Sequence, residues 1–282
     1  MRIDGRDGSD NIEDRRGSSG GKKVGSLTGL IIVGVIAYIT SGGDMGAVLH
    51  AVLSSSTGTT TSQNYSQPSA HEQQYSKLVS VVLKDTEDVW SSYLKRYGIH
   101  YRKPKLVLYR GTTHSGCGQA QNAMGPFYCP VDQKVYLDLG FFDELNRKFG
   151  AKGDFAEAYV ITHEVAHHVQ DELGILSKVH KLQRKVNKKT ANKLSVKIEL
   201  QADCFSGVWA RLDEDKNHIL EAGDIDEALH AAAQIGDDTL QKKAQGYVVP
   251  DSFTHGTSKQ RKEWFYRGFQ SGNIQECDTF NQ

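Results

Sequence analysis

The chain has no excess charge of either sign and no closely spaced pair of cysteines. Its 282 residues contain 34 Lys plus Arg and 34 Asp plus Glu, so the formal net charge is zero. No overall electrostatic field then directs the protein to nucleic acid or to strongly acidic partners. The Cys-x-x-Cys spacing typical of a thiolate zinc site is absent, so we do not expect a site of that kind.

Long apolar runs are also scarce, and the one that occurs lies near the N-terminus. Residues 1–26 are polar and rich in Gly and Ser, which predicts a disordered segment. Residues 27–40 are apolar and, with their flanks, reach the short limit of about 17 residues for a transmembrane helix. Cations precede this run and none follows before Lys77, which predicts a cytoplasmic N-terminus and an extracytoplasmic domain. A cleaved signal peptide is the alternative, although no Ala-x-Ala site follows the run.

A linker and one larger domain are expected after the apolar run. Residues 41–71 are rich in Ser, Thr and Gln towards their end, and predict a flexible linker. Residues 72–282 are numerous enough for one domain with a buried core. Helical periodicity dominates this part, with short strands expected at residues 104–109 and 134–139. The sequence therefore predicts a single-pass membrane protein with an α+β domain that is mostly helical and has a small sheet.

His163 and His167 form the pattern His-Glu-x-x-His, with Glu164 between them. Two histidines four residues apart lie on one face of a helix and can bind one metal ion. Glu164 then lies beside that ion without having to bind it, which is the position of a general base for a water molecule. The pattern would occur by chance in roughly 2% of chains of this composition. The neighbouring sequence is therefore needed to tell a metal site from ordinary histidines.

The surroundings favour a metal site over ordinary core histidines. Apolar residues surround the motif from Phe155 to Val169, so the helix is expected to be largely buried. A buried carboxylate needs a cation, and this helix contains no Lys or Arg. Asp154 is expected to be the N-cap of the helix, with Glu157 closing a capping box. His168 points away from the metal-binding face, and we interpret it as structural.

A third metal ligand is expected downstream, in a second apolar helical segment. Catalytic zinc takes three protein ligands and leaves one position for water. Glu199 and Asp203 are four residues apart and share one face of this helix. We assign Glu199 as the ligand and Asp203 as the carboxylate that holds a histidine ring in its ligating tautomer. Two acids at this spacing are also typical of a solvated helix face, which is the alternative.

These two motifs and four further segments together match one known family. The segments are HEVAHHVQ at residues 163–170 and ELQADC at 199–204, with blocks at 85–90, 125–130, 250–258 and 277–280. In them the chain resembles the putative neutral zinc metallopeptidases of the YpfJ type, from about residue 75 to residue 282. The resemblance implies a zinc-dependent, membrane-anchored peptidase, which we expect to be zincin-like, and it favours an uncleaved anchor over a cleaved signal peptide.

His255 lies in one of the blocks that carry the resemblance, within a loop of Gly, Ser and Thr residues. Peptidases of this kind can use a distal His or Tyr to stabilise the oxyanion beside the zinc. The resemblance therefore makes His255 a candidate for that role. The alternative is a histidine that braces the loop.

The four cysteines can form disulfides outside the cytoplasm, and three connectivities are possible. Cys117 and Cys129 bracket a Gly-rich loop, which predicts a disulfide between them. Cys204 and Cys277 would then form the second pair. Closing the first loop would stabilise the fold by about 3 kcal/mol in the chain-entropy description.

One local charge asymmetry lies between the two predicted ligand helices. No acidic residue occurs between Glu172 and Glu199, and the cations in this stretch are Lys178, Lys181, Arg184, Lys185, Lys188, Lys189, Lys193 and Lys197. A run of this kind is usually a solvated face of a helix. The alternative is a patch that contacts anionic lipid or an acidic substrate.

The sequence as a whole predicts a membrane-anchored zinc metallopeptidase with one Zn²⁺ per chain. His163, His167 and Glu199 hold the metal, and Glu164 takes a proton from the attacking water. The expected partners are a peptide or protein substrate and, through the N-terminal helix, a membrane, whereas nucleic acid is not expected. Two alternatives remain open: a membrane-tethered binding or scaffold domain with structural zinc, and a zinc hydrolase that acts on a non-peptide amide.

Overall fold

The computed structural model of the chain describes residues 1–17, 69–121 and 124–281. A four-stranded sheet within these residues has the strand order β1-β2-β6-β5. Strands β1, β2 and β6 are parallel, and β5 is antiparallel to β6 at one edge of the sheet. A separate antiparallel hairpin contains β3 and β4. The strands are β1 (Ile12–Asp14), β2 (Lys105–Tyr109), β3 (Thr112–Ser115), β4 (Gly118–Gln121), β5 (Phe127–Cys129) and β6 (Lys134–Asp138).

Helices make up most of the described residues. They are α1 (Ala70–Lys95), α2 (Gly140–Phe149), α3 (Asp154–Glu172), α4 (Ile175–Gln183), α5 (Lys188–Asn217), α6 (Asp224–Gln234), α7 (Asp237–Gln245) and α8 (Ser258–Ser271), with short 3₁₀ turns at Pro250–Ser252 and Ile274–Cys277. The prediction of a mostly helical α+β fold with a small sheet is confirmed. Both strands that the sequence predicted are present, as β2 and β6.

Residues 1–17 belong to the folded domain, so the predicted disorder over residues 1–26 is wrong for this part. β1 pairs in parallel with β2 and extends the sheet. The side chain of Met1 is buried, and its ammonium group pairs with Asp224 (3.4 Å). Arg6 pairs with the buried Asp85 (2.7 Å). Polar contacts with distant parts of the chain hold the segment, and its polar composition gave no sign of them.

The predicted membrane anchor at residues 27–40 lies outside the described residues, and so does most of the predicted linker at 41–71. Among the residues that the structure does describe, no helix is both long enough and apolar enough to cross a membrane. Helix α1 begins at Ala70, because the side chain of Ser69 caps this helix and Glu72 completes a capping box.

Helix α3, which carries the His-Glu-x-x-His motif, is the central helix of the domain. It packs against α1, α5 and α6 and also contacts β5 and β6. Phe155, Tyr159 and Val165 are fully buried in it, as its apolar sequence predicts. The cost of placing polar groups in such a helix is therefore high unless each finds a partner.

The start of α3 differs from the predicted capping box. Gly153 is the N-cap, no side chain of the helix caps it, and Asp154 is the first helical residue. The carboxylate of Glu227 on α6 instead accepts a hydrogen bond from the backbone N–H of Phe155 (3.2 Å). A Cβ atom at position 153 would lie 2.0 Å from that carboxylate, and φ is +107°, so both contacts and backbone require glycine here. The carboxylate of Glu227, from another helix, therefore takes the place of the capping box predicted within α3.

Glu157, the other half of the predicted box, has a different environment. Its burial, and next the charges of Asp154, Asp143 and Glu227, raise its pKa to about 8. The folded state therefore holds a proton there that the unfolded state releases near pH 4.5. We expect the stability of the wild type to fall as the pH rises from about 4.5 to 8 through this group. Thermal unfolding across this range should show Glu157→Gln gaining stability relative to wild type with rising pH; a constant difference would contradict the assignment.

Two glycines allow α5 and α8 to cross in close contact. A Cβ atom at Gly207 would lie 2.0 Å from the carbonyl oxygen of Phe265, and one at Gly268 would lie 1.9 Å from that of Cys204. The backbones can approach this closely only without side chains at these positions. The crossing brings the N-terminal half of α8 against the α5 segment that contains the predicted acidic motif.

Both predicted disulfides are present. Cys117–Cys129 joins the turn between β3 and β4 to the edge strand β5. Cys204–Cys277 joins α5 to the last 3₁₀ turn. No free cysteine occurs in the chain. The second bond ties the C-terminal segment to the middle of α5.

Candidate metal centre

The structure brings His163 and His167 of α3 together with Glu199 of α5. Nε2 of His163 lies 3.1 Å from Oε2 of Glu199, and Nε2 of His167 lies 3.6 Å from Oε1. One ligand atom from each residue lies within 4.8 Å of the other two. Bonds of about 2.0–2.2 Å to a tetrahedral zinc ion would set such atoms about 3.3 Å apart. The three side chains therefore fit one zinc ion with small adjustments.

The other nitrogen of each histidine ring is held by a side-chain oxygen. Nδ1 of His163 is 2.9 Å from Oδ1 of Asp203, and Nδ1 of His167 is 2.9 Å from Oε1 of Gln170. A carboxylate or amide oxygen accepts a hydrogen bond, so Nδ1 carries the proton in both rings. A neutral ring in this orientation presents the lone pair of Nε2 to the centre, which is the tautomer that binds a metal.

Asp203 is itself fixed by two buried side chains. Arg261 of α8 donates to both of its oxygens (2.8 and 2.9 Å), and the Tyr159 hydroxyl donates to Oδ1 (2.5 Å). Asp203 and Arg261 are almost completely buried. Burial alone would raise the pKa of Asp203, but the charges of Arg261 and His163 outweigh it and lower the pKa. Asp203 is thus an anion in a fixed orientation beside the first histidine.

A second relay of hydrogen bonds supports His167. The Gln170 amide donates to the Ile198 carbonyl (2.8 Å) and to Oε1 of Gln201 (3.1 Å). Gln201 in turn donates to the carbonyl of Cys277 (3.0 Å), beside the disulfide to α5. The orientation of the second ligand therefore depends on the C-terminal segment of the chain.

Sequence reasoning missed Tyr159, Gln170 and Arg261. Two of them could have been found by helical spacing, because Tyr159 precedes His163 by four residues and Gln170 follows His167 by three. Arg261 gave no such signal. Its local sequence Ser-Lys-Gln-Arg-Lys is typical of a solvated helix face, and only the crossing of α5 and α8 buries it.

Glu164 is not part of the ligand cluster, as expected for a base. The backbone N–H of Tyr128 in β5 hydrogen bonds to its carboxylate. Burial is the largest cause that raises the pKa of Glu164 to about 7, and the nearby Glu199 adds to it. A bound dication would act in the opposite direction and favour the charged carboxylate.

A cleft of about 220 Å³ opens beside the centre. Its walls come from β5, α4 and α5, and His167 and Glu199 line its inner end. Tyr128 and Pro130 contribute from the strand side. Within residues 128–139, only Tyr128 and Pro130 line the cleft. β6 lies inside the sheet, between β2 and β5.

His168 has the structural place that the sequence predicted for it. Its Nδ1 lies 3.1 Å from the Tyr128 hydroxyl, and its Nε2 hydrogen bonds to the carbonyl of Arg102. Both ring nitrogens are therefore occupied away from the centre. The ring links α3 to the strand that borders the cleft.

His255 lies in a loop whose backbone N–H groups hydrogen bond to the carboxylate of Asp237. Asp237, at the start of α7, accepts hydrogen bonds from the backbone N–H groups of Thr254, His255 and Gly256 (2.8, 2.7 and 3.0 Å). Its other oxygen lies 3.2 Å from Nδ1 of His255. Burial would lower the pKa of His255, but the hydrogen bond to Asp237 and the charge of Glu199 raise it. The ring is 43% exposed, so it stays accessible to a ligand.

A second acidic group lies at the other end of α3. Asp154, Asp224 and Glu227 could also surround a cation by their spacing. The ammonium group of Met1 pairs with Asp154 and Asp224 there. This cluster therefore already has a positive partner within the chain, unlike the cluster of His163, His167 and Glu199.

Comparison with known proteins agrees with this geometry. The chain matches the family described as "Putative neutral zinc metallopeptidase" over residues 1–280. It is 49% identical to "Uncharacterized protein YpfJ" of Escherichia coli K12 over 291 aligned positions, which cover 100% of this chain and 99% of that protein. It is 41% identical over 191 positions to "Uncharacterized protein Rv2575" of Mycobacterium tuberculosis H37Rv, covering 64% of each. No solved structure matches. The chain therefore belongs to the putative neutral zinc metallopeptidase family, as its motifs predicted.

Proposed function

We propose that this protein hydrolyses peptide bonds with one zinc ion held by His163, His167 and Glu199. The observation that carries the proposal is the convergence of two Nε2 atoms on Glu199, with both Nδ1 atoms hydrogen bonded behind them. Membership of a zinc metallopeptidase family supports the same assignment. When bound, zinc lowers the pKa of a water molecule and polarises the carbonyl that this water attacks.

Glu164 is the general base of the proposed reaction. Its carboxylate takes a proton from the attacking water and delivers it to the leaving amine. The backbone N–H of Tyr128 holds this carboxylate at the border of the cleft. Proton transfer by a positioned group of this kind contributes about 10²- to 10⁴-fold to a rate.

Strand β5 offers a surface for an extended substrate. It is an edge strand that pairs only with β6 among the described residues. An extended peptide can add to such an edge through backbone hydrogen bonds, with its side chains alternating between the cleft and the outside. An edge strand beside the His-Glu-x-x-His helix suits the zincin-like arrangement that we propose for this domain. Its presence supports a peptide rather than a small amide as the substrate.

The predicted anchor at residues 27–40 is part of the proposal, because the described residues do not include it. Two disulfides support an oxidising, extracytoplasmic compartment for the domain. A membrane attachment would keep the peptidase near that surface. The substrates would then be peptides or proteins that reach the same compartment.

Metal removal tests the proposed function directly. We expect purified protein to contain about one zinc per chain, to lose hydrolysis of a mixed peptide library on chelation, and to regain it with one equivalent of Zn²⁺. Elemental analysis and mass spectrometry of the library before and after treatment measure both quantities. Full zinc content without cleavage of any peptide would instead support a scaffold domain with structural zinc.

His255 is proposed to stabilise the oxyanion that forms during attack on the carbonyl. We expect His255→Ala to lower kcat by about 10²-fold while zinc content and KM change little, because the contact is made mainly in the transition state. His230→Ala, on α6, serves as a matched control. Steady-state kinetics and zinc analysis of both variants distinguish oxyanion stabilisation from loop bracing. Unchanged kcat in His255→Ala would leave the residue with a loop-bracing role only.

A further inference from the structure

The basic segment between the two ligand helices keeps most of its charge unpaired in the fold. Lys189 pairs with Asp251 (2.8 Å), and Lys197 donates to the carbonyl of Phe280 (3.2 Å). No ion pair within the described part of the chain involves the remaining cations, which are Lys178, Lys181, Arg184, Lys185, Lys188 and Lys193. All six are exposed. The segment is therefore a surface of positive potential rather than a network of internal salt bridges.

This segment forms the outer walls of the metal cleft. On α4, Leu176, His180 and Gln183 line the cleft at helical spacing. On α5, Ser195 and Glu199 line it from the other side. Gln183 donates to Ser195 Oγ (2.8 Å) and joins the two helices across the cleft. α4 ends at Gln183, and residues 184–187 connect it to the start of α5 at Lys188.

Two of the cations extend these lining faces. Lys188 precedes Ser195 by seven residues, which places it within about 20° of the same face of α5. Arg184 is the C-cap of α4 and follows His180 by four residues, which keeps it within about 40° of the lining face. Lys181 lies about 100° from His180, towards the outer side of α4, and Lys185 lies in the turn after the helix. The positive charge at the mouth of the cleft therefore comes from Arg184 and Lys188.

The position of Lys188 along α5 gives the distance between this positive charge and the metal centre. Lys188 lies eleven residues before the ligand Glu199, which corresponds to about 16 Å along the helix. An extended peptide covers that distance with about five residues. A substrate bound at the metal centre could thus place an acidic side chain beside Lys188 and Arg184, beyond the residues that line the cleft.

We propose that the cleft selects peptides with Asp or Glu about five residues from the bond that is cut. The inference rests on the proposed peptidase function and names its substrate class. Leu176 and Ile198 line an apolar part of the cleft near the metal centre. The exposed Arg184 and Lys188 supply the charge complement farther out. Complementary charge of this kind sets specificity and association rate more than it sets affinity.

An anionic membrane is the competing occupant of the same surface, and the fold disfavours it. Ser69, where the described chain resumes after the predicted anchor, caps the N-terminal end of α1. The chain just beyond the other end of α1 contacts the end of α3 through Arg102 and Glu172 (2.6 Å), and α4 follows there. With 26 residues, α1 is about 39 Å long. The basic segment and the attachment point of an anchor thus lie at opposite ends of this helix.

A pair of fluorogenic peptides tests the selection. They share one cleavable sequence and carry either two Glu or two Gln at the fifth and sixth positions from the scissile bond. With the zinc-loaded wild type, we expect kcat/KM to be about fivefold or more higher for the Glu peptide at low salt, which corresponds to about 1 kcal/mol. The preference should fall towards unity as salt screens the charges. Equal values for both peptides at low salt would overturn the proposal.

Two double variants test which cations cause the preference for the Glu peptide. Arg184→Gln/Lys188→Gln should abolish the preference, whereas Lys181→Gln/Lys185→Gln, which removes the same charge from the outer side of α4 and from the turn after it, should retain it. Equal loss in both double variants would show a diffuse field and contradict the assignment to the cleft mouth.

Sedimentation with vesicles that contain about one-third anionic lipid tests the membrane as the alternative occupant. Vesicle binding that requires Arg184 and Lys188, with no peptide preference, would assign the surface to lipid instead.

Binding without turnover separates this inference from the proposed function. Zinc-loaded Glu164→Gln protein should bind the labelled Glu peptide more tightly than the Gln peptide in fluorescence anisotropy. If the wild type cleaves no peptide but this binding preference is present, the peptidase assignment fails and the acidic-peptide surface stands. If the wild type cleaves both peptides equally and binds them equally, the peptidase assignment stands and the surface inference fails.

Discussion

Glu164→Gln is expected to retain its zinc and to lose peptide hydrolysis by about 10³-fold in kcat. Glutamine has nearly the same shape as glutamate but cannot take a proton from water. It can still accept the hydrogen bond from the backbone N–H of Tyr128, so the border of the cleft should keep its geometry. Zinc content by elemental analysis and single-turnover hydrolysis of a peptide measure the two halves of the expectation.

Glu157→Gln is the matched control for this result. Both residues are glutamates of α3 with a raised pKa, but Glu157 lies near the start of the helix and outside the ligand cluster. We expect it to leave kcat unchanged. Hydrolysis that survives in Glu164→Gln with full zinc content would assign the base to another group and remove the central residue from the mechanism.

Arg261→Met is expected to have the largest effect on stability of any change near the site. It leaves the buried carboxylate of Asp203 without its cation, and removal of one partner of a buried pair costs about 3–5 kcal/mol. The same change frees the carboxylate that orients His163, so zinc affinity should fall by about 10- to 100-fold. Urea unfolding of the zinc-free protein and competition with a chelator give the two numbers.

The double variant Arg261→Met/Asp203→Asn distinguishes charge from packing. Without the buried anion, the uncompensated charge is gone, and we expect the double variant to recover much of the stability lost in Arg261→Met. Zinc affinity should stay low, because asparagine is a weaker acceptor for Nδ1–H of His163. Equal destabilisation of the single and double variants would show that Arg261 acts by filling space and not by its charge.

The cluster of His163, His167 and Glu199 could be predicted because every part of it has local spacing. His163 and His167 share one helical face, and Glu199 and Asp203 share another, so periodicity alone proposes both halves of the site. The two halves of the site, one on each helix, come together once both helices are buried. The sequence predicted the α+β class from apolar patterns and Cys117–Cys129 from the loop that these cysteines bracket, and Cys204–Cys277 followed as the remaining pair.

The features that the sequence did not predict depend on contacts between distant segments. Arg261 becomes a partner of Asp203 only because Gly207 and Gly268 let two helices cross closely. Glu227 replaces the predicted local cap of α3 from a neighbouring helix. The N-terminal segment is ordered by β1 pairing and by ion pairs, although its composition is typical of disorder. In each case a polar residue that looks solvated finds a partner far away in the chain.

Strand β1 has a consequence for membrane topology. Its backbone hydrogen bonds join residues 12–14 to β2 in one sheet, and the two parts of one sheet occupy one aqueous compartment. A single membrane crossing between Gly17 and Ser69 would place them in different compartments, with the N-terminus in the cytoplasm as its flanking charge predicted. The pairing therefore keeps residues 12–14 in the same compartment as β2 and the two disulfides.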